Sequence, residues 1–228
     1  MIPRNHSVIG IGYCIARPIR FSWLMLPLMG FECVMSEHPL VSLEEGFIDE
    51  ALVGHWIETS DGTELVISMR DDGLMNVEMG ETDEGERSFY AYRGYSSRLG
   101  EDTYANLEFF DVGCEGCDQG ELDIGRAEIF EDFAPILAET DGATCTFIII
   151  RYEHTEDDRL IVYWQRRSNV KSAIEEQELA GRLFAETDSE LDGEPCITAS
   201  STELVEWIIA NPEALSSATD SDEYVRRR

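Results

Sequence analysis

From residue 64 the chain alternates. In TELVISM, Leu65, Ile67 and Met69 share one parity while Glu64 and Ser68 take the other, and after the Asp71-Asp72-Gly73 turn Met75, Val77 and Met79 alternate with Asn76 and Glu78. A period of two places one set of side chains in a core and the other toward water, the pattern of a half-buried strand. RSFYAYRGY, TYANLEFF, TCTFIIIRY and RLIVYW extend the series, rich in aromatic and β-branched residues and separated by Gly, Asp and Glu clusters. Ahead of them, Trp56 and Ile57 lead into an Asp61-Gly62 turn. At least six strands arise locally, and such a meander exposes pairing edges unless it closes or packs on itself. The predicted fold is therefore mainly β with a few short helices (α+β), an antiparallel sheet closed into a barrel.

Three segments change period. SLEEGFIDEAL opens with Ser42 and Glu45 at capping-box spacing, which predicts a helix over 43–52 with Phe47, Ala51 and Leu52 near one face. NVKSAIEEQELAG sets Val170, Ala173 and Ile174 on one stripe and predicts a helix ending in a left-handed residue at Gly181. In ASSTELVEWIIANPEAL, Ser200 and Glu203 repeat the capping box, Leu204, Trp207 and Ile208 form an apolar face, and Asn211 before Pro212 marks the end. Trp207 is expected to share one interior with the strands, and YVRRR to return as a last strand. No fixed-period repeat occurs, which excludes solenoids and propellers.

Charge divides the chain. It carries 47 acids against 17 bases for a formal net charge of -30, yet residues 1–31 hold Arg4, Arg17 and Arg20 and no acid. Arg17 and Arg20 precede the apolar run FSWLMLPLMGF, which stops at Glu32, a length that suits the core of an export signal better than a membrane span. The predicted organisation is a signal-like or membrane-anchoring leader over 1–33 and a single domain over 34–228, exported to the cell envelope or membrane-associated, with the membrane touched only by the N-terminal segment. Cys33 is the lipidation candidate, although Gly30, Phe31 and Glu32 would put a carboxylate where small residues are required. The dense negative field of the body excludes nucleic acid and anionic membrane surfaces as partners.

Of the six cysteines, Cys114 and Cys117 in DVGCEGCDQGELD can face one centre, with Cys145 and Cys196 available to complete a zinc site or to form disulfides. Asp111, Glu115 and Asp118 supply a field opposite to the one that activates a thiolate, which argues against redox catalysis. Plain disulfides are the expectation in an exported chain, and spacing does not choose among the pairings. DSELDG imitates half a calcium loop, but Ala199 stands where the bidentate Glu belongs and Pro195 interrupts it, so it reads as a solvated turn. His6, His38, His55 and His154 are scattered without a metal spacing, and the acids sit in surface-like clusters with none isolated in an apolar run. No cofactor and no catalytic residue is predicted.

Gly54-His55-Trp56 resembles the G-x-W element at the start of lipocalin-type barrels. The order apolar run, Cys33, SEHPL, short acidic helix, and later ITASSTELVEWI, is similar to bacterial lipoproteins of unknown function with a lipocalin-like (calycin-type) domain. The likeness runs in outline from Cys33 to the C-terminus and is loose over 112–131. It implies a lipocalin-like barrel, with Gly54 and Trp56 as structural residues at its closed floor, and an envelope address; it lends no chemistry. The resulting expectation is an exported binding or interaction module without catalysis, taking a small apolar ligand or an envelope protein partner. The alternative is a metal-binding or thiol-dependent protein centred on Cys114 and Cys117.

Overall fold

A computed structural model describes residues 34–83, 86–115, 145–183 and 195–227. The predicted leader with Cys33, and also Cys117 and DSELDG, lie outside the described residues. Among the described residues eleven strands form one sheet: β1 (Met35–Ser36), β2 (Gly54–Glu58), β3 (Glu64–Met69), β4 (Met75–Asp83), β5 (Glu86–Leu99), β6 (Asp102–Glu115), β7 (Phe147–His154), β8 (Arg159–Gln165), β9 (Gly181–Leu183), β10 (Pro195–Ile197) and β11 (Ser216–Arg226).

Eight of them close on themselves. The ladder runs from β2 through β8, and β11 then joins β8 to β2, so that Arg226 lies opposite Trp56 and Tyr224 opposite Glu58. Every neighbouring pair in this ring is antiparallel. This is the predicted antiparallel barrel, of lipocalin-like form, and closure leaves its walls without the free edges an open meander would have. The last strand is the predicted return of the tail, begun earlier than YVRRR.

The alternation of the sequence is the alternation of the walls. Leu65, Ile67, Met75, Val77, Met79, Tyr90, Tyr92 and Leu107 all join one buried cluster inside the barrel, together with Trp56, Leu160 and Tyr224. Met69 has the right parity but is 46% exposed, because β3 ends there and the chain turns back at Arg70–Leu74.

β7 departs from alternation for a reason. Ile148, Ile149 and Ile150 are all buried, Ile148 and Ile150 inside the barrel and Ile149 in a second cluster outside it. A strand covered on both faces reads as a continuous apolar run. The outer cover comprises α1 (Arg167–Glu175), α2 (Ser201–Ala210), the single turn α3 (Pro212–Leu215) and the small branch β1–β10–β9. Val170, Ala173, Leu179, Ile197, Leu204, Trp207 and Ile208 pack there against Tyr104 and Ile149 of the barrel's outer wall. Trp207 therefore does not share the barrel interior, contrary to expectation; the described residues hold two cores on either side of the β6–β7 wall.

Of the predicted helices, α2 forms as read. Ser200 and Glu203 make both halves of the capping box, and Asn211 closes the helix. α1 stops at Glu175, and the left-handed residue is Gln177 (φ 60°), whereas Gly181 opens β9. No helix forms over 43–52. Ser42 and Glu45 do bond, but only turns and a 3-10 turn at Glu50–Leu52 follow, because Phe47 pairs with Ser96 of β5. Gly46 lies so near Tyr95 that a Cβ would sit 2.2 Å from the ring, and a packed wall has taken precedence over local helix propensity.

If Ile149 joins the two layers as described, Ile149→Ala should cost about 2–5 kcal/mol in chemical denaturation, since it opens a cavity at a site that cannot collapse. Ile209→Ala, at a 64% exposed position of α2, should change stability by less than about 0.5 kcal/mol.

Candidate functional site

The residues chosen from sequence separate into three places. Gly54 and Trp56 lie at the start of β2, at the end of the barrel where the turn Glu50–Leu52 and His154 of β7 meet. Trp56 is 0% exposed, its indole N–H donates to the Leu52 carbonyl at 2.7 Å, and the ring of His154 meets it edge-on at 5.7 Å. Above the indole lies the guanidinium of Arg226, with Cζ 4.2 Å from the ring centre. Its Nη1 donates to the Val53 carbonyl at 2.8 Å, its Nη2 to Ala51, and its Nε to Asp158 at 2.9 Å. The planar fork thus ties the segment before β2 to the end of β11 while stacking on the aromatic face, which a flexible ammonium cannot do. Gly54, at φ 156°, allows this approach, since a Cβ there would be 2.9 Å from Arg226 Nη1. That Arg226 covers the Trp56 indole was not read from the sequence.

The cysteines occupy a second place. Cys145 and Cys196 form a disulfide across 51 residues with Cα atoms 6.1 Å apart, joining the segment before β7 to β10. Cys114, at the end of β6, is also disulfide-bonded. Glu37 lies near the Cys145–Cys196 pair in the arrangement of a cation site, but oxidised sulfurs are not thiolates and cannot serve as zinc ligands.

The third place was missed. Glu58 follows Trp56 by two residues on β2 and so points inward, where it is only 4% exposed. It accepts from the Ser60 hydroxyl, while Thr63 N–H donates to Asp61 at 2.8 Å and the Trp164 indole N–H donates to Asp222. Burial first, then the hydrogen bond with Asp61 and the charge of Asp222, push the Glu58 carboxyl up to about 7. Burial also raises Asp222. For Asp61 burial works the same way, but hydrogen bonds from Glu58 and Thr63 outweigh it and hold the group below the usual carboxylate range. Glu58 thus holds a proton more readily than an ordinary glutamate, and Asp61 ionises more readily than an ordinary aspartate.

Beside them the Tyr224 hydroxyl is wholly buried and has no hydrogen-bond partner, and burial with the nearby Asp222, Glu58 and Asp61 raises its pKa strongly. This cluster has capacity to spare: a phenol that can donate, a carboxylic acid, and two further carboxyl groups in a desolvated setting where hydrogen bonds are strong. The expectation that every acid lies in a surface cluster is corrected at Glu58. The signal was available, because period two from Trp56 puts Glu58 on the same inward face.

A polar hollow of about 440 Å³ lies between Asp49, Asp102, Arg151 and Tyr163, but its groups largely satisfy one another. Arg151 reaches Asp102 at 3.4 Å, the Tyr152 hydroxyl bonds Asp49 at 3.0 Å, and the Tyr163 hydroxyl bonds Glu153 at 3.2 Å. Comparisons with known protein families, with curated proteins and with solved structures return no match.

Two outcomes follow from this geometry. Arg226→Lys should destabilise by about 1–3 kcal/mol, close to Arg226→Ala, because lysine restores the charge without the fork or the stacking; urea denaturation measures it. For Glu58, the folded value near 7 exceeds the ordinary 4.5, so the folded chain retains a proton that the unfolded chain releases between those values. The stability this group contributes is present below pH 4.5 and is lost as pH rises to 7. The unfolding free energy of Glu58→Gln, measured relative to the unsubstituted protein, should therefore rise across that window; a flat difference would show Glu58 ionised in the fold.

Proposed function

We propose that the protein is an exported, envelope-associated binding or interaction module without catalysis. The observation that carries the binding reading is the unspent hydrogen-bonding capacity around Glu58, where the partnerless Tyr224 hydroxyl sits among carboxyl groups. A buried donor without an acceptor is costly to maintain, so the cluster holds hydrogen-bonding capacity that the fold itself does not use. The rest of the barrel interior is occupied by its own side chains, which favours a polar contact at this place over an apolar guest in the barrel.

Export is supported by the Cys145–Cys196 disulfide, a bond that persists in oxidising compartments. The same bond and the oxidised state of Cys114 lean against the metal or thiol alternative centred on Cys114 and Cys117. The apolar run before Glu32 remains the segment that would engage the export machinery or the membrane.

Expression of the full chain in a bacterial host, followed by fractionation, intact mass and thiol counting, tests this. The expected product lies in the envelope, has lost the leader or carries a lipid on Cys33, and shows no free thiol at Cys145 or Cys196. Replacing that pair by alanine should cost about 2–4 kcal/mol. A cytoplasmic protein with Met1 intact and both thiols free would overturn the reading.

A further inference from the structure

The acids around Glu58 are brought together by the closing of the barrel. Tyr224 of β11 lies opposite Glu58 of β2 in the ladder, and Asp222 precedes Tyr224 by two residues and so shares its inward face. The Trp164 indole, itself part of the interior cluster, donates to Asp222. Burial first, and then the charges of Asp222, Glu58 and Asp61, raise the Tyr224 phenol, which sets its hydroxyl facing all three carboxyl groups; yet it bonds none of them. The cluster is reached from solvent along one side, where Asp61 is exposed and Asp222 half-buried, while Glu58 and Tyr224 lie deeper at 4% and 0% exposure.

These features narrow the occupant. Three carboxyl groups exclude an anion. Among the described residues the one group of acid, histidine and cysteine side chains drawn together tightly enough for a bare metal ion is Glu37 with Cys145 and Cys196, so Glu58, Asp61 and Asp222 are spread too widely for one. A neutral molecule would leave the charge of the acids unanswered, and a quaternary ammonium would bring charge without donors. A primary ammonium group carries one positive charge and three N–H donors, and three oxygen-bearing groups are open to it: Glu58, Asp222 and the Tyr224 phenol, Asp61 being engaged by Thr63 N–H and by Glu58. We propose that this cluster binds the primary ammonium group of an amine, with Glu58 and Asp222 as its anionic acceptors and the Tyr224 hydroxyl as the third. This deepens the binding reading above and rests on it. The titratable groups facing Glu58 are Asp61 of the following turn and Asp222 and Tyr224 of β11. Binding draws Glu58 into its ionised form and so releases the proton that the free site holds below about pH 7.

The chain's overall charge of -30 attracts any cation, so the test must separate the cluster from that field. The full chain, labelled with 15N-tryptophan, is titrated at physiological ionic strength and pH 8 with n-butylammonium, and with capped lysine amide, which offers the same group on a side chain; the two probes separate a free amine from a lysine as its source. Trp164→Phe identifies the reporting indole. The expected result is a saturable shift of the Trp164 signal, with those of Trp56 and Trp207 unmoved. Below pH 7 affinity should fall by up to about tenfold per unit, a dependence that Glu58→Gln abolishes while weakening binding about tenfold. Tyr224→Phe, which removes only the hydroxyl, should weaken binding about tenfold without unfolding the barrel, and Glu156→Gln, at an exposed position elsewhere, should leave affinity nearly unchanged. Equal binding of tetramethylammonium, or an equal loss in Glu58→Gln and Glu156→Gln, would overturn the proposal in favour of attraction by net charge. A Trp164 shift with n-butanol and none with either ammonium would overturn it while leaving the cluster a binding site; no shift with any probe would remove both.

Discussion

A strand buried on both faces can leave none of its backbone groups to water, and the structure is arranged around meeting that condition at β7. One edge is covered along Phe147–Tyr152 by β6. The other is divided: β8 pairs with Arg151–His154, whereas Phe147 and Ile148 pair with β1. Between these partners the Ile149 carbonyl accepts from the buried side chain of Gln165, whose own oxygen takes the Val34 N–H at 2.7 Å. One side-chain amide thus stands in for a ladder rung where two strands separate, and it anchors the start of the described chain. Asn106 acts similarly, accepting from Leu40 N–H at 2.7 Å and donating to Ser97.

The separation of β7 from β8 is also what admits the outer layer. β1 enters the gap and pairs in parallel with β10, which carries β9, and the Cys145–Cys196 bond fastens that branch to the start of β7. The helices then cover Ile149 and Tyr104 from outside. The barrel alone would expose these side chains, so the second core is required by the first and is no independent addition.

Against so acidic a composition, the arginines are distributed with economy. Glu64 on the outer wall gathers Arg87 at 3.4 Å, Arg227 at 3.6 Å and His55 at 3.2 Å, and Arg87 also bonds Glu78 at 2.9 Å. Arg93 meets Glu108 across β5 and β6 at 2.8 Å, and Arg182 ties β9 to Glu37 at 3.3 Å. Each such pair adds little alone at a partly exposed site, but together they relieve like-charge repulsion between neighbouring strands. With 47 acids and 17 bases most acids have no base of their own, and Glu58 and Asp222, beside the partnerless Tyr224 hydroxyl, are two of these.

Much of the architecture was legible because it is periodic. Met75, Val77 and Met79 alternate in the sequence and in the wall, and the box at Ser200 and Glu203 closes as its spacing demands, since both depend on neighbours two to four residues away. The Gly54-His55-Trp56 stretch was singled out from the sequence, yet the guanidinium covering the indole comes from Arg226, whose distance along the chain no local pattern encodes. Leu43 to Leu52 had the spacing of a helix and did not become one, because pairing of Phe47 with Ser96 and contact of Gly46 with Tyr95 outweighed a weak local preference. By itself the amino-acid order determined the strands of the barrel, most of their inward faces, the capped helix and the sign of the surface field, all consequences of short-range geometry and solvation. Only the tertiary structure decided that Trp207 belongs to an outer core, that Cys145 meets Cys196, and that Glu58, Asp61, Asp222 and Tyr224 share one desolvated place, because closing a barrel brings together residues separated by most of the chain.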